Sequence, residues 1–171
     1  ATACPDKTAI VGEKYTLSYR ALLCEIEKIA GELSPYRGHV VALLADNGPE
    51  WLLTDLAAQQ AGVVLLPLPV YFTSAQIEHA MQSAGARSLI YSPDTPPADF
   101  ISHLANKPEA FAHYPLQHIH CPFATHAGLP EGTGKITFTS GSTGTPKGVC
   151  LSNHQQFNVA KSLLSVTELQ S

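Results

Sequence analysis

Hydrophobic positions along the chain fall into two rhythms. Residues 40–45, 63–66 and 88–91 are short, nearly unbroken apolar runs, the pattern of strands covered on both faces. Between them the apolar residues recur at three-to-four spacing. After Ser18, a cap residue, Leu22, Leu23, Ile26, Ile29, Ala30 and Leu33 share one helical face. Pro49 opens a second helix that runs to Ala61 and stops at Gly62. Thr73 and Gln76 have capping-box spacing for a third helix, which reaches Ala84 and closes at Gly85. Ahead of these, residues 9–11 and 15–17 read as a hairpin around Gly12 and Glu13. Strands separated by helices of this length must cross over, so the pattern predicts an α/β fold: a doubly wound, mostly parallel sheet with helices on both faces.

The rhythm breaks between residues 92 and 134, where Pro93, Pro96, Pro97, Pro108, Pro115, Pro122 and Pro130 punctuate the chain. An irregular excursion is predicted there, with a short helix near residues 98–105 and a short strand near 116–120. Residues 135–139 re-enter the sheet. Residues 149–151 follow, and Ser152 with Gln155 at box spacing caps a last helix. That helix sets Phe157, Ala160 and Leu164 along one side, below His154, with Val159, Leu163 and Val166 beside them. So wide an apolar surface on a terminal helix predicts self-association. At 171 residues and 44% hydrophobic composition, the chain is expected to fold as one domain spanning 1–171.

Candidate chemistry concentrates in residues 136–150, Ile-Thr-Phe-Thr-Ser-Gly-Ser-Thr-Gly-Thr-Pro-Lys-Gly-Val-Cys. An apolar, β-prone entry leads into a loop rich in glycine and hydroxyls that carries one lysine. Gly141 and Gly144 let backbone N–H groups approach an anion, Thr139, Ser140, Ser142 and Thr143 offer hydroxyl donors, and Lys147 offers a point charge. These are the parts of a phosphate cradle. An ordinary turn between strands draws on the same residue types. A Walker loop is excluded, because Lys147 is followed by Gly148, and Gly134-Lys135 runs into Ile136 with Leu129 where the leading glycine belongs. No Gly-x-Gly-x-x-Gly joins a strand to a helix, which excludes the dinucleotide fingerprint.

Thr139 to Val149 resemble, position for position, the signature loop of the adenylate-forming enzymes: acyl- and aryl-CoA synthetases, luciferases and peptide-synthetase adenylation domains. The segment Asn47-Gly48-Pro49-Glu50-Trp51, with Ala61-Gly62 and a strand ending in Pro67-Leu68 after it, is similar to an early stretch of that family, as are Pro5 to Ile10 and Tyr15 to Tyr19. The resemblance implies ATP-dependent activation of a carboxylic acid as an acyl-adenylate. Thr139, Ser140, Gly141, Ser142, Thr143, Gly144 and Lys147 would hold the ATP phosphates, Mg2+ would bridge them, and CoA or a phosphopantetheine would accept the acyl group. It also implies that this is the N-terminal part of a larger ligase, inactive alone, whose magnesium ligands and adenylation lysine lie further on. Two departures matter. Asn153 stands where the family usually has a histidine, making it a candidate for the acyl pocket. Pro67-Leu68-Pro69-Val70-Tyr71 differs from the Pro-Leu-Asp-Pro run of peptide-synthetase domains, favouring an acyl- or aryl-acid activator over an amino-acid one. The alternatives are a peptide-synthetase fragment and a truncated, non-catalytic phosphate-binding or interaction module; the reading frame beyond Ser171 would tell the module from the ligase.

Charge and the remaining chemistry narrow the picture slightly. A net charge of −4 supplies no basic field for nucleic acid or an anionic membrane, and no run is long and apolar enough to span a bilayer. Cys4, Cys24, Cys121 and Cys150 lack Cys-x-x-Cys spacing and read as reduced thiols of a cytoplasmic, soluble chain. His103, His113, His118, His120 and His126 crowd the excursion, and His118, His120 and Cys121 could ligate a metal; they lack the paired spacing of zinc sites, so no metal is expected. Trp51 is expected to pack at the core edge, and Lys135 and Arg87 to be solvated.

Overall fold

Caps and glycines place the helices where the spacing predicts. The computed structural model describes residues 4–13, 15–96, 98–104, 106–112, 114–121, 123, 128–139 and 146–167. Strands β1 (Thr8–Val11) and β2 (Thr16–Ser18) form an antiparallel hairpin that leads into helix α1 (Tyr19–Leu33). The Ser18 hydroxyl accepts a hydrogen bond from the Ala21 amide at 3.3 Å, satisfying one of the donors a helix start leaves free. After a 3-10 turn at Ser34–Tyr36 come strand β3 (Val40–Leu44), helix α2 (Pro49–Ala61) and strand β4 (Val64–Pro67). Gly62 ends α2 at φ +71°, a left-handed conformation in which a side chain would be strained. Helix α3 (Ser74–Ala84) begins with the full Thr73/Gln76 capping box and leads to strand β5 (Ala86–Tyr91).

The main sheet has seven strands. Residues 92–134, expected to be irregular, contribute helix α4 (Ala98–Ser102) and two of those strands, β6 (Glu109–Phe111) and β7 (Leu116–His120). They are followed by β8 (Thr133–Thr139), β9 (Lys147–Ser152) and helix α5 (Asn153–Thr167). The order across the sheet is β6-β7-β5-β3-β4-β8-β9. The four middle strands are parallel and both edges turn antiparallel, β7 on β5 at one side and β9 on β8 at the other. The excursion therefore returns to the sheet rather than leaving it. Phe111 and Leu116 bury themselves at the β6–β7 turn, where Ala112 takes φ 52° and its amide donates to Glu32 Oε2 of α1 at 3.0 Å.

Period-two alternation divides β3 between two cores. Val41, Leu43 and Ala45 face α1 and α2, while Val40, Ala42 and Leu44 face α3 and α4. All five residues of β3 are buried. Each such Leu or Val contributes on the order of 1.5–3 kcal/mol by leaving water. No helix among the described residues is long and apolar enough to cross a membrane.

Candidate functional site

The hairpin of β8 and β9 carries the candidate loop at its tip. Thr139 and Lys147 are the last paired residues on either side of it; being directly opposite, they point to the same face, and both are exposed. A hydroxyl and an ammonium side by side at a hairpin mouth suit an incoming phosphate, so these two residues fit the expected ligand. Ser140, Gly141, Ser142, Thr143 and Gly144 lie outside the described residues, as do His113 and His126.

The topology gives the hairpin its surroundings. Leaving β3 the chain crosses on one face through α2, and leaving β4 it crosses on the other through α3, so the carboxyl ends of these neighbours separate. Ligand sites of open α/β sheets lie in such a crevice. Here it has a volume of about 370 Å3 and is lined by Asp46, Asn47, Trp51, Pro69, Tyr71 and Phe138, among others. Phe138 is the neighbour of Thr139, which brings the crevice to the base of the loop. A wider cleft of about 620 Å3 opens beside it, with Glu13, Asp46, Asn47 and Glu50 in its wall. Burial and the carboxylate of Glu50 raise the Tyr15 phenol at its edge far above the ordinary range. The Tyr114 phenol donates to Glu25 Oε2 at 2.9 Å, and burial together with that carboxylate raises it as well.

Below Thr139 on the same face, Lys135 is not solvated as its sequence context suggested. Its Nζ lies 2.7 Å from Asp55 Oδ1, in contact by charge rather than through an aligned hydrogen bond, and 5.7 Å from the Trp51 ring centroid. The two side chains of the pair are only 13% and 10% exposed. The reason is geometric: Lys135 alternates with the core residue Ile136, so its stem must lie along α2, and Asp55 there needs a counter-charge. Trp51 occupies the core edge, half-buried under this ammonium.

On the opposite face the hairpin meets α3. His79 Nε2 is 3.3 Å from the Pro146 carbonyl oxygen, and its ring stands edge-on to Phe138. Sequence reasoning did not single out His79, because nothing in helical spacing marks a lone histidine beside Ile77 and Ala80.

Asn153 is not brought to the loop. Ser152 pairs with Thr133, so Asn153 starts α5 at the opposite end of β8 from Thr139, roughly 20 Å away along a seven-residue strand. Its carboxamide lies so close over Gly134 that a β-carbon there would overlap it. It also accepts from Gln156 Nε2 at 3.4 Å.

The histidine-rich strand β7 does not converge on an ion. His118 and His120 share a face with ring centroids 5.0 Å apart, and Tyr36 Oη lies 3.2 Å from His120 Nδ1. Cys121 is buried in the core of the other face, where desolvation pushes its thiol up to about 12. Burial, and then the neighbouring His120, lower the pKa of His118. Among the described residues no three His, Cys, Asp or Glu side chains gather to hold a metal ion. Arg87 is half-exposed beside His120 in a shallow cleft.

Comparison with known proteins agrees with this arrangement. The chain is 27% identical over 94% of its length to the fatty acid–[acyl-carrier-protein] ligase ScoC of Streptomyces coeruleorubidus, spanning 33% of that protein. It is 33% identical over 78% of its length to the nonribosomal peptide synthetase tcpP of Claviceps purpurea, covering 7% of it. The fold superposes on the o-succinylbenzoate CoA synthetase MenE of Bacillus subtilis, solved with an acyl-adenylate, at a TM-score of 0.76 and 18% identity, over 99% of this chain and 45% of that one. The chain thus spans a third or less of the length of these two sequence relatives. The model of the AMP-binding enzyme family matches residues 1–170, the candidate loop included, and the chain belongs to that family.

Proposed function

We propose that this chain is the phosphate-gripping N-terminal part of an ATP-dependent ligase that activates a carboxylic acid as its acyl-adenylate and then passes the acyl group to CoA or a carrier-protein pantetheine. The observation that carries the reading is the family loop from Thr139 to Val149, set on a hairpin beside the switch-point crevice. The chemistry needs placement and charge neutralisation more than covalent help, since the charge that develops sits on phosphate oxygens. Thr139 offers its hydroxyl and Lys147 its ammonium to the β- and γ-phosphates from one face of the hairpin, and residues 140–144 supply the rest of the cradle. Magnesium, when bound with ATP, neutralises phosphate charge and favours departure of pyrophosphate. The ligands of the metal, the ribose and the acid belong to sequence beyond residue 171, and the chain alone forms no adenylate.

The substrate is a fatty or aryl acid and the setting is the cytoplasm. Support for the acid class comes from the carrier-protein ligase relative and from Pro67-Leu68-Pro69, where peptide-synthetase domains carry Pro-Leu-Asp-Pro. The peptide-synthetase relative favours a second reading, an amino-acid activator. ATP–pyrophosphate exchange by the extended protein against a panel of fatty, aryl and amino acids decides between them: exchange with amino acids alone would replace the first reading, and exchange with no acid would remove both. In that protein Lys147→Ala is expected to lower exchange roughly ten- to a hundredfold, the worth of a charge-assisted hydrogen bond of about 1.5–3 kcal/mol. Wild-type exchange by that variant would show Lys147 to be a solvated side chain.

A further inference from the structure

The phosphate loop is tethered at its base by a residue outside it. His79 projects from α3, a helix fixed by its capping box and by the buried Ile77, Ala80, Met81 and Ala84. Its imidazole meets β8 and the residue that leads into β9. On β8 it meets Phe138 edge-on, with ring centroids 6.4 Å apart and planes at 86°. At the start of β9 its Nε2 lies 3.3 Å from the carbonyl oxygen of Pro146, a buried residue that immediately precedes Lys147. Proline has no N–H, so that residue can be held only through its carbonyl, and the imidazole Nε2–H is the donor that α3 brings to it.

Phe138 completes the arrangement. Gly148 is its partner across the hairpin, and a β-carbon at Gly148 would lie 3.1 Å from Phe138 Cε2 and Cζ and 3.3 Å from Ile136 Cγ2. The phenyl ring thus lies across the glycine that follows Lys147, and His79 meets that ring edge-on. Imidazole, phenyl ring and glycine lie together next to the last paired residues of the hairpin, Thr139 and Lys147.

We propose that His79 is a positioning residue for the phosphate loop: it anchors the strand that leaves the loop, so that the Lys147 ammonium keeps its place opposite Thr139. This rests on the phosphate-binding reading given above. The hydrogen bond fixes Pro146, the ring contact fixes Phe138, and together they set the spacing of the two strands at Thr139 and Lys147.

Three forms of the chain test it: wild type, His79→Phe, which keeps a ring but no donor, and His79→Gln, which returns an N–H donor. The readouts are amide hydrogen exchange at residues 147–150 and the affinity for inorganic pyrophosphate. His79→Phe is expected to exchange about five- to tenfold faster at 147–150, the equivalent of one hydrogen bond, and to bind pyrophosphate several-fold more weakly; His79→Gln restores both. Exchange relative to β3 amides in the same molecule separates a local release from a general loss of stability. Wild-type exchange at 147–150 in His79→Phe, or a His79→Gln variant as fast as His79→Phe, overturns the proposal. Failure of the wild-type chain to bind pyrophosphate, with the exchange difference intact, counts against the loop as a phosphate site and leaves the anchor standing.

Discussion

Strand β3, apolar throughout, and the terminal unit of β9 and α5, apolar along one side, meet opposite fates. Every residue of β3 is buried, between α1 and α2 on one side and α3 on the other. No residue of α5 is buried, and Phe157, Val159, Leu163, Leu164 and Val166 are 56–79% exposed. An apolar pattern therefore specifies that an element forms and which face it offers, but a contact also needs a second surface, and only β3 has one within these residues. The same contrast runs along β8, whose face towards α2 is closed by an ion pair and whose outer neighbour β9 has an open edge.

The comparison breaks most visibly where β8 is pinned. Lys135→Ala leaves the Asp55 carboxylate largely desolvated without its counter-charge, and about 3–5 kcal/mol of stability is expected to go, read from denaturant midpoints. A loss below about 1 kcal/mol would mean that water reaches Asp55 freely. Next comes the centre against the edge: Leu43→Ala in β3 should cost about 2–5 kcal/mol, whereas Leu164→Ala in α5 should stay within about 0.5 kcal/mol. Equal costs would show that α5 is covered in solution. At higher concentration than such a titration uses, another copy of the chain is expected to cover this face, giving a concentration-dependent mass in sedimentation that Leu163→Asp with Leu164→Asp abolishes; a single monomeric mass at high concentration would sink that expectation.

The smallest effect concerns acidity. Burial and then His120 lower the folded-state pKa of His118 below its ordinary value of 6.5, so the unfolded chain binds that proton first. Stability should be complete above about pH 6.5, fall as pH drops towards the folded-state pKa, and level out below it. Among the facing groups Glu109, opposite His118 across the strand pair, opposes the shift, and His120 adds to it. His118→Phe should flatten this part of the stability profile, and an unchanged slope would assign it to another group.

The elements were legible wherever local chemistry decides them. Ser18, Thr73 with Gln76, Gly62 and Gly85 mark helix ends by donors and left-handed turns that need no distant partner. The edge strands β6 and β7 were harder to read, because three and five residues bounded by prolines carry little periodicity; β7 was expected as a short strand, but its place beside β5 was not, and β6 was not expected at all. The loop was legible as a motif of contiguous residues. Its supports were not, since Lys135 and Asp55 lie eighty positions apart and His79 and Pro146 sixty-seven, and side-chain pairing over such distances leaves no trace in spacing.

Trp51 is the only tryptophan in these 171 residues, and it lies under the Lys135 ammonium while lining the crevice. Indole emission responds to nearby charge and to solvent, so the tryptophan fluorescence of these 171 residues is the signal of this one corner. Rupture of the Lys135 contact, or a molecule entering the crevice, should each register there in real time, without a label.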